Sequence, residues 1–80
     1  MAVVVDAVKR FQGDRLVVYS FANYTNPVDS GILLIDLRDV DRWQVFPPDA
    51  SRLTAELPLL KALRELRTTG EWPEKISHIS

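Results

Sequence analysis

Asp36, Asp39 and Asp41 in the stretch IDLRDVD are a dense set of titratable side chains, and hard cations such as calcium and magnesium seek several carboxylate oxygens of this kind. The spacing fits no EF-hand loop. No glycine stands at the turning position and no glutamate follows at the far end, while Arg38 and Arg42 sit beside the acids and neutralise them. The expectation is a solvated, salt-bridged turn rather than a metal centre. His78 is the single histidine and there is no cysteine, so a dedicated zinc cluster has no ligand set. Ser20, Ser30, Ser51 and Ser77 are potential nucleophiles, but none lies in a G-x-S-x-G elbow, and no glycine-rich phosphate loop is present. No catalytic residue, no metal and no cofactor is therefore assigned, and the chain is expected not to be an enzyme.

The polar stretch NYTNPVDSG, residues 23 to 31, interrupts an otherwise apolar region. Asn26-Pro27 and Asp29-Ser30-Gly31 are the types a connecting loop uses for backbone geometry, which predicts a turn. Asn23-Tyr24-Thr25 matches a glycosylation acceptor, a feature that matters only for a chain that meets the modifying enzyme. Tyr24 is an aromatic at the loop edge and a candidate binding anchor.

The elements that position these residues follow from periodicity. Eighty residues without an obvious internal repeat make one domain, 1–80, and 46% hydrophobic with 26% charged residues is ordinary globular usage. VVVDAVKRF and RLVVYSFANY are rich in β-branched and aromatic residues and flank Gln12, Gly13 and Asp14, which predicts a hairpin. GILLIDL at 31–37 and RWQVF at 42–46 continue it as third and fourth strands. The prolines of PPDA, 47–50, end the fourth strand.

A helix follows, with Asp49, Ser51 and Thr54 as candidate N-caps and Pro58 tolerable in a first turn starting near Leu57, or as a local distortion if the helix starts earlier. Leu53, Leu57, Leu60, Leu63 and Leu66, with Leu59, predict one broad buried face. Lys61, Arg64 and Arg67 precede Gly70, a natural left-handed C-terminal residue. KISHIS predicts a short extended or strand tail. The expected fold is α+β: an antiparallel β-meander of about four strands packed by one C-terminal α-helix.

Val3–Val5, Leu16–Val18 and Ile32–Ile35 are apolar on both sides of their strands, whereas one helix covers only one side of a sheet. The second side calls for a cover. The choices are the C-terminal segment around Trp72, a homodimer mate, or another protein. Trp43 and Trp72 are expected in the core or at its cap, with an interface patch as the alternative.

The formal net charge of −1 gives no field for nucleic acid or an anionic membrane, and neither partner is expected. Residues 29 to 56 carry six acids against three bases, an excess of three. The charges at Asp6, Lys9 and Arg10 break the N-terminal apolar run, so no signal or membrane span is read there, and a cytoplasmic location is expected.

Taken in order, YSFANYTNPVDSG, GILLID, RWQVF, the leucine helix and GEWPEKISHI resemble small bacterial immunity proteins, which bind and block a cognate toxin. The resemblance spans residues 19 to 79 and implies an antiparallel sheet, one helix and no catalysis. It transfers no family binding residues, because no motif matches position by position. The resulting expectation is a non-catalytic protein–protein interaction module, an inhibitor binding its partner through Asp36, Asp39, Asp41, Trp43 and Tyr24. The alternative is a homodimeric enzyme or ligand-binding protein with a pocket at the subunit seam around Tyr19, Trp43 and His78.

Overall fold

The two leading apolar runs form a hairpin, β1 (Val4–Gln12) and β2 (Leu16–Asn23), closed by the Gly13 amide donating to the Leu16 carbonyl at 2.8 Å. This is a computed structural model, and it describes residues 4–26, 28–46 and 52–79. β3 (Gly31–Asp36) and β4 (Gln44–Phe46) extend the meander, with one 3-10 turn at Val40–Arg42 between them. α1 (Arg52–Thr69) then crosses the sheet, and the tail forms a true fifth strand, β5 (Lys75–Ile79). The fold is α+β, with an all-antiparallel sheet in the order β4-β3-β2-β1-β5. β5 thus pairs with β1 at the edge farthest from β4, with Ala7 opposite Ile76 and Val5 opposite His78.

The buried core lies on the helix side. Val5 and Ala7 of β1, Val17, Tyr19 and Phe21 of β2, and Leu33 and Ile35 of β3 pack beneath Ala55, Leu59 and Ala62 of α1. The predicted leucine face is present in Leu57, Leu59, Leu63 and Leu66 and needs correction at Leu60. The buried stripe is centred on small residues, which let the helix backbone approach the sheet. Leu57, Leu63 and Leu66 flank it half-buried, and Leu60 is 54% exposed.

The helix starts at Arg52, before the start near Leu57 considered from the sequence, so Pro58 lies inside it, fully buried. A proline there withholds the amide that would bond to the Thr54 carbonyl. Thr54 is itself interior to the helix rather than its cap. Residues 1–3, Pro27, the PPDA segment, Ser51 and the side chain of Leu53 lie outside the described residues, so the expected caps Asp49 and Ser51 do too.

Gly70 ends the helix at φ +80°, its amide donating to the Leu66 carbonyl at 2.8 Å. Only glycine adopts this conformation without strain, so the expected C-terminal stop is present. Trp72 is buried in the core on the helix side, so the C-terminal segment does not fold over the other face of the sheet. Its strand widens the sheet instead. Among the described residues no element lies over that second face.

Candidate protein-binding surface

The register assigns the side chains of the uncovered face. Phe46 pairs with Ile32, Ile32 with Ser20, Ser20 with Val8, and Val8 with Lys75, giving one row across all five strands. Gln44, Leu34, Val18 and Phe11 form the next row. Phe11 is there because of a β-bulge between Lys9 and Phe11. The bulge keeps Lys9 on the helix side opposite Tyr19 but turns Phe11 outward opposite Val18. The Phe11 ring then lies over the hairpin turn, where a Cβ on Gly13 would meet it at 3.1 Å.

Three large side chains within these rows are substantially exposed: Phe46 at 60%, Phe11 at 56% and Ile32 at 40%. Val8, Val18 and Leu34 between them are half-buried by their neighbours alone. Four of the polar residues on this face are tied in pairs. Ser77 donates to Asp6 at 2.7 Å and the Arg10 Nε donates to Ser20 at 2.8 Å. The surface is therefore a largely apolar field on which two polar pairs are already bonded, with Lys75 and Gln44 on its edge strands. Covering those bonded pairs with a matching surface strands fewer donors and acceptors than covering free ones would.

The sequence-predicted binding residues fall in three places. Asp36 ends β3 on the uncovered face, opposite Leu16; its carboxylate accepts the Arg38 amide at 2.9 Å and pairs with the Arg38 guanidinium at 3.7 Å. That amide hydrogen bond, with the Arg38 and Arg42 guanidinium groups beside it, holds the Asp36 carboxyl below the usual carboxylate range. Asp39 caps the 3-10 turn by accepting the Asp41 amide at 3.2 Å, and both side chains are exposed. Arg15, from the β1–β2 turn, joins Arg38 and Arg42 around Asp36. This end of the sheet is thus mixed in charge rather than a bare acidic patch.

Trp43 lies two residues before Val45 and on the same, helix-facing side. It is half-buried, with the Arg52 guanidinium 3.9 Å above its ring. It braces the start of α1 against β4. Tyr24 lies at the opposite end of the sheet from the acids. It continues β2 onto the uncovered face, with its amide bonded to the Val4 carbonyl at 2.9 Å and 63% of the residue exposed.

Tyr24 is positioned by the loop that the sequence marked as a turn. The Asn23 Oδ1 accepts the Thr25 and Asn26 amides at 3.0 and 3.1 Å, the Asn23 amide donates to Ser30 Oγ at 3.0 Å, and Thr54 of α1 donates to the Asp29 carboxylate. An asparagine that folds its own following backbone, docked onto a helix, makes a stiff loop. Tyr19, Trp43 and His78 do not converge within the chain. Tyr19 is fully buried under the helix, Trp43 lies beside β4, and His78 lies on β5 at the opposite edge.

The residues the sequence reading missed are Phe11, Ile32 and Phe46. The signal for them was present, since both sides of these strands are apolar, but which side the helix takes depends on the pairing register and on the bulge. Comparison with known protein families, curated proteins and solved structures returns no match for this chain.

Proposed function

We propose that the protein is a non-catalytic protein-interaction module whose binding surface is the uncovered face of its sheet, with Phe46, Ile32 and Phe11 as its apolar centre. The observation that carries this is the exposure of three large apolar side chains on one continuous five-stranded face, where Ser77 and Asp6, and Arg10 and Ser20, are bonded in pairs. Sheets fully wetted on so apolar a side are a liability unless another surface covers them. Tyr24 closes one end of the face. The exposed carboxylates of Asp39 and Asp41 stand beyond the other, where they would guide a basic partner by charge.

Among the described residues no serine is paired with a histidine base, which supports the non-catalytic half of the reading. Ser77 and His78 are neighbours in β5 and therefore point to opposite faces, and Ser20, Ser30 and Ser77 bond elsewhere. An inhibitor of the immunity type, blocking a cognate toxin, is the specific form of this reading.

The test is co-purification of the untagged protein from its native host, in parallel with a Phe46→Lys/Ile32→Thr variant. Both substituted positions are exposed, so the variant folds. A protein recovered in fixed ratio with the wild type and lost with the variant supports the reading. Equal recovery with both overturns the sheet face as the binding surface.

A further inference from the structure

A second surface lies at the β5 edge, where the strand runs beside the flank of α1. In an antiparallel ladder, successive residues alternate between pointing their backbone groups at the partner strand and away from it. The Lys9 amide donates to the Glu74 carbonyl at 2.8 Å, so the pairs in the same phase, Ala7–Ile76 and Val5–His78, face inward. The backbone groups of Lys75, Ser77 and Ile79 therefore point out of the sheet. The Lys61 ammonium, reaching over from α1 to the Ser77 carbonyl, occupies one of them.

Between this edge and the helix runs a groove lined by Leu57, Leu60, Lys61, Arg64, His78 and Ile79. Leu60 and Ile79 are exposed at 54% and 72%. No acid lines the groove, and among the described residues neither Lys61 nor Arg64 belongs to an ion pair.

We propose that this groove receives an extended acidic segment of a partner protein, added beside β5 as a sixth strand. Three features converge on that occupant. The outward backbone groups of Ser77 and Ile79 are what an added strand pairs with. Ile79, on the same face of β5 as Ser77, holds the apolar side chains that the added strand turns away from the helix. Lys61 and Arg64 hold the carboxylates between them. A lysine laid over a strand edge also blocks unwanted pairing. Here an incoming carboxylate gives the Lys61 ammonium a replacement partner as it releases the Ser77 carbonyl, so acidic strands are admitted and neutral ones are not.

A second copy of the chain is disfavoured by the same groups. Two β5 strands paired about Ser77 would bring Lys61, Arg64 and Lys75 of both copies to one seam. This inference does not depend on the sheet-face reading, and the two fail separately.

The probe is a fluorescent ten-residue peptide of alternating glutamate and valine, with an alternating lysine and valine peptide as control. Anisotropy should show saturable binding of the acidic peptide only. The Ser77 and Ile79 amides should shift most in a heteronuclear correlation spectrum. Lys61→Glu/Arg64→Glu should weaken the acidic peptide by at least about tenfold and admit the basic one. Ser77→Pro, which removes an outward amide along with the Ser77–Asp6 side-chain hydrogen bond, should abolish binding while leaving the charges in place, and Ser77→Ala, which removes that side-chain bond alone, should not. Phe46→Lys/Ile32→Thr should leave peptide binding unchanged. If both peptides bind the wild type alike, if the acidic peptide fails to bind at millimolar concentration, or if charge reversal has no effect, the inference is overturned. The charge-reversal pair lies on the exposed helix surface and decides the matter even if Ser77→Pro does not fold.

Discussion

The Tyr19 hydroxyl donates to the Pro73 carbonyl at 2.7 Å, so the fully buried tyrosine at the centre of β2 holds the connection that delivers β5 to its edge. Lys9 secures the same connection, with its ammonium 3.3 Å from the Trp72 carbonyl and 3.1 Å from the Glu74 carboxylate. Two helix-side strand residues thus fix where the chain turns after α1. Tyr19→Phe keeps the ring and strands the carbonyl, which costs about 1–3 kcal/mol. In a domain of this size each kcal/mol lowers the melting midpoint by about 4–8 °C, and thermal unfolding followed by circular dichroism measures it. A midpoint unchanged within about 2 °C, well under the shift that 1 kcal/mol produces, would remove Tyr19 from this role.

The same residue makes stability depend on alkaline pH. Burial, and then the nearby Glu74 carboxylate, raise the Tyr19 phenol above its ordinary value of 10.0. The folded state therefore holds the proton more tightly than the unfolded one. Its contribution is complete below the unfolded value and is lost as the pH rises above it toward the folded value. Urea midpoints should fall from about pH 9.5 upward, starting just below the unfolded tyrosine value, and Tyr19→Phe should flatten part of that fall. Identical slopes for the two proteins would contradict the assignment.

Asn23 is 6% exposed and its side-chain oxygen serves two loop amides, at 3.0 and 3.1 Å. Asn23→Ala leaves both without that acceptor and should cost about 1–3 kcal/mol. Asn23→Asp keeps the acceptor and should recover most of the loss near neutral pH. Tyr24 and Val28, both strongly exposed, are carried by this loop, so hydrogen exchange of residues 24–30 should accelerate in the alanine variant. Unchanged exchange in that variant would show that the loop is held by something else.

The sheet was legible where the signal is local. The hairpin, the third and fourth strands, the polar loop at 23–31 and the stop at Gly70 can all be read from side-chain type and period. The unread part depends on distant choices. That β5 joins β1 rather than β4 is set by the helix crossing and by the hold of Tyr19 on Pro73. That Phe11 faces outward is set by a one-residue bulge. The helix face was legible in Leu57, Leu59, Leu63 and Leu66, but its centre was not, because leucine hydrophobicity outweighs alanine in any periodic count, while close packing on a sheet selects Ala55 and Ala62. The acidic turn was read from its own chain neighbours, and Arg15 reaches it from a turn more than twenty residues earlier.

Asp39 and Asp41 test what remains of that turn. Both are exposed, and Asn in place of Asp39 still offers an oxygen to the Asp41 amide. Asp39→Asn/Asp41→Asn should change stability by no more than about 0.5 kcal/mol. Association with the protein recovered by co-purification should slow at low salt and converge with wild type as salt rises. A wild-type rate at low salt would leave the contact to the sheet face and Tyr24.

Whether the uncovered face meets a second copy of the chain is decided by area and charge. Five strands about 4.8 Å apart, of three to nine residues each, give a face of roughly 20 by 20 Å at about 3.3 Å per residue. Two such faces packed as a sandwich bury on the order of 1,000 Å², near the lower limit for a specific interface. Unlike the β5 edge, this face sets Asp6 and Asp36 against Arg10 and Lys75, so its charges balance and a two-fold pairing does not gather one sign at the seam. The expected result is a weak dimer. Light scattering after size exclusion should show the mass rising from monomer toward dimer between about 1 μM and about 100 μM, a range that matches micromolar affinity. Phe46→Lys/Ile32→Thr should remain monomeric throughout while melting within a few degrees of wild type, since both side chains are already exposed. A wild type that stays monomeric across that range would sink self-association and reserve the face for an unlike protein. A variant that still dimerises would move the contact off the face altogether.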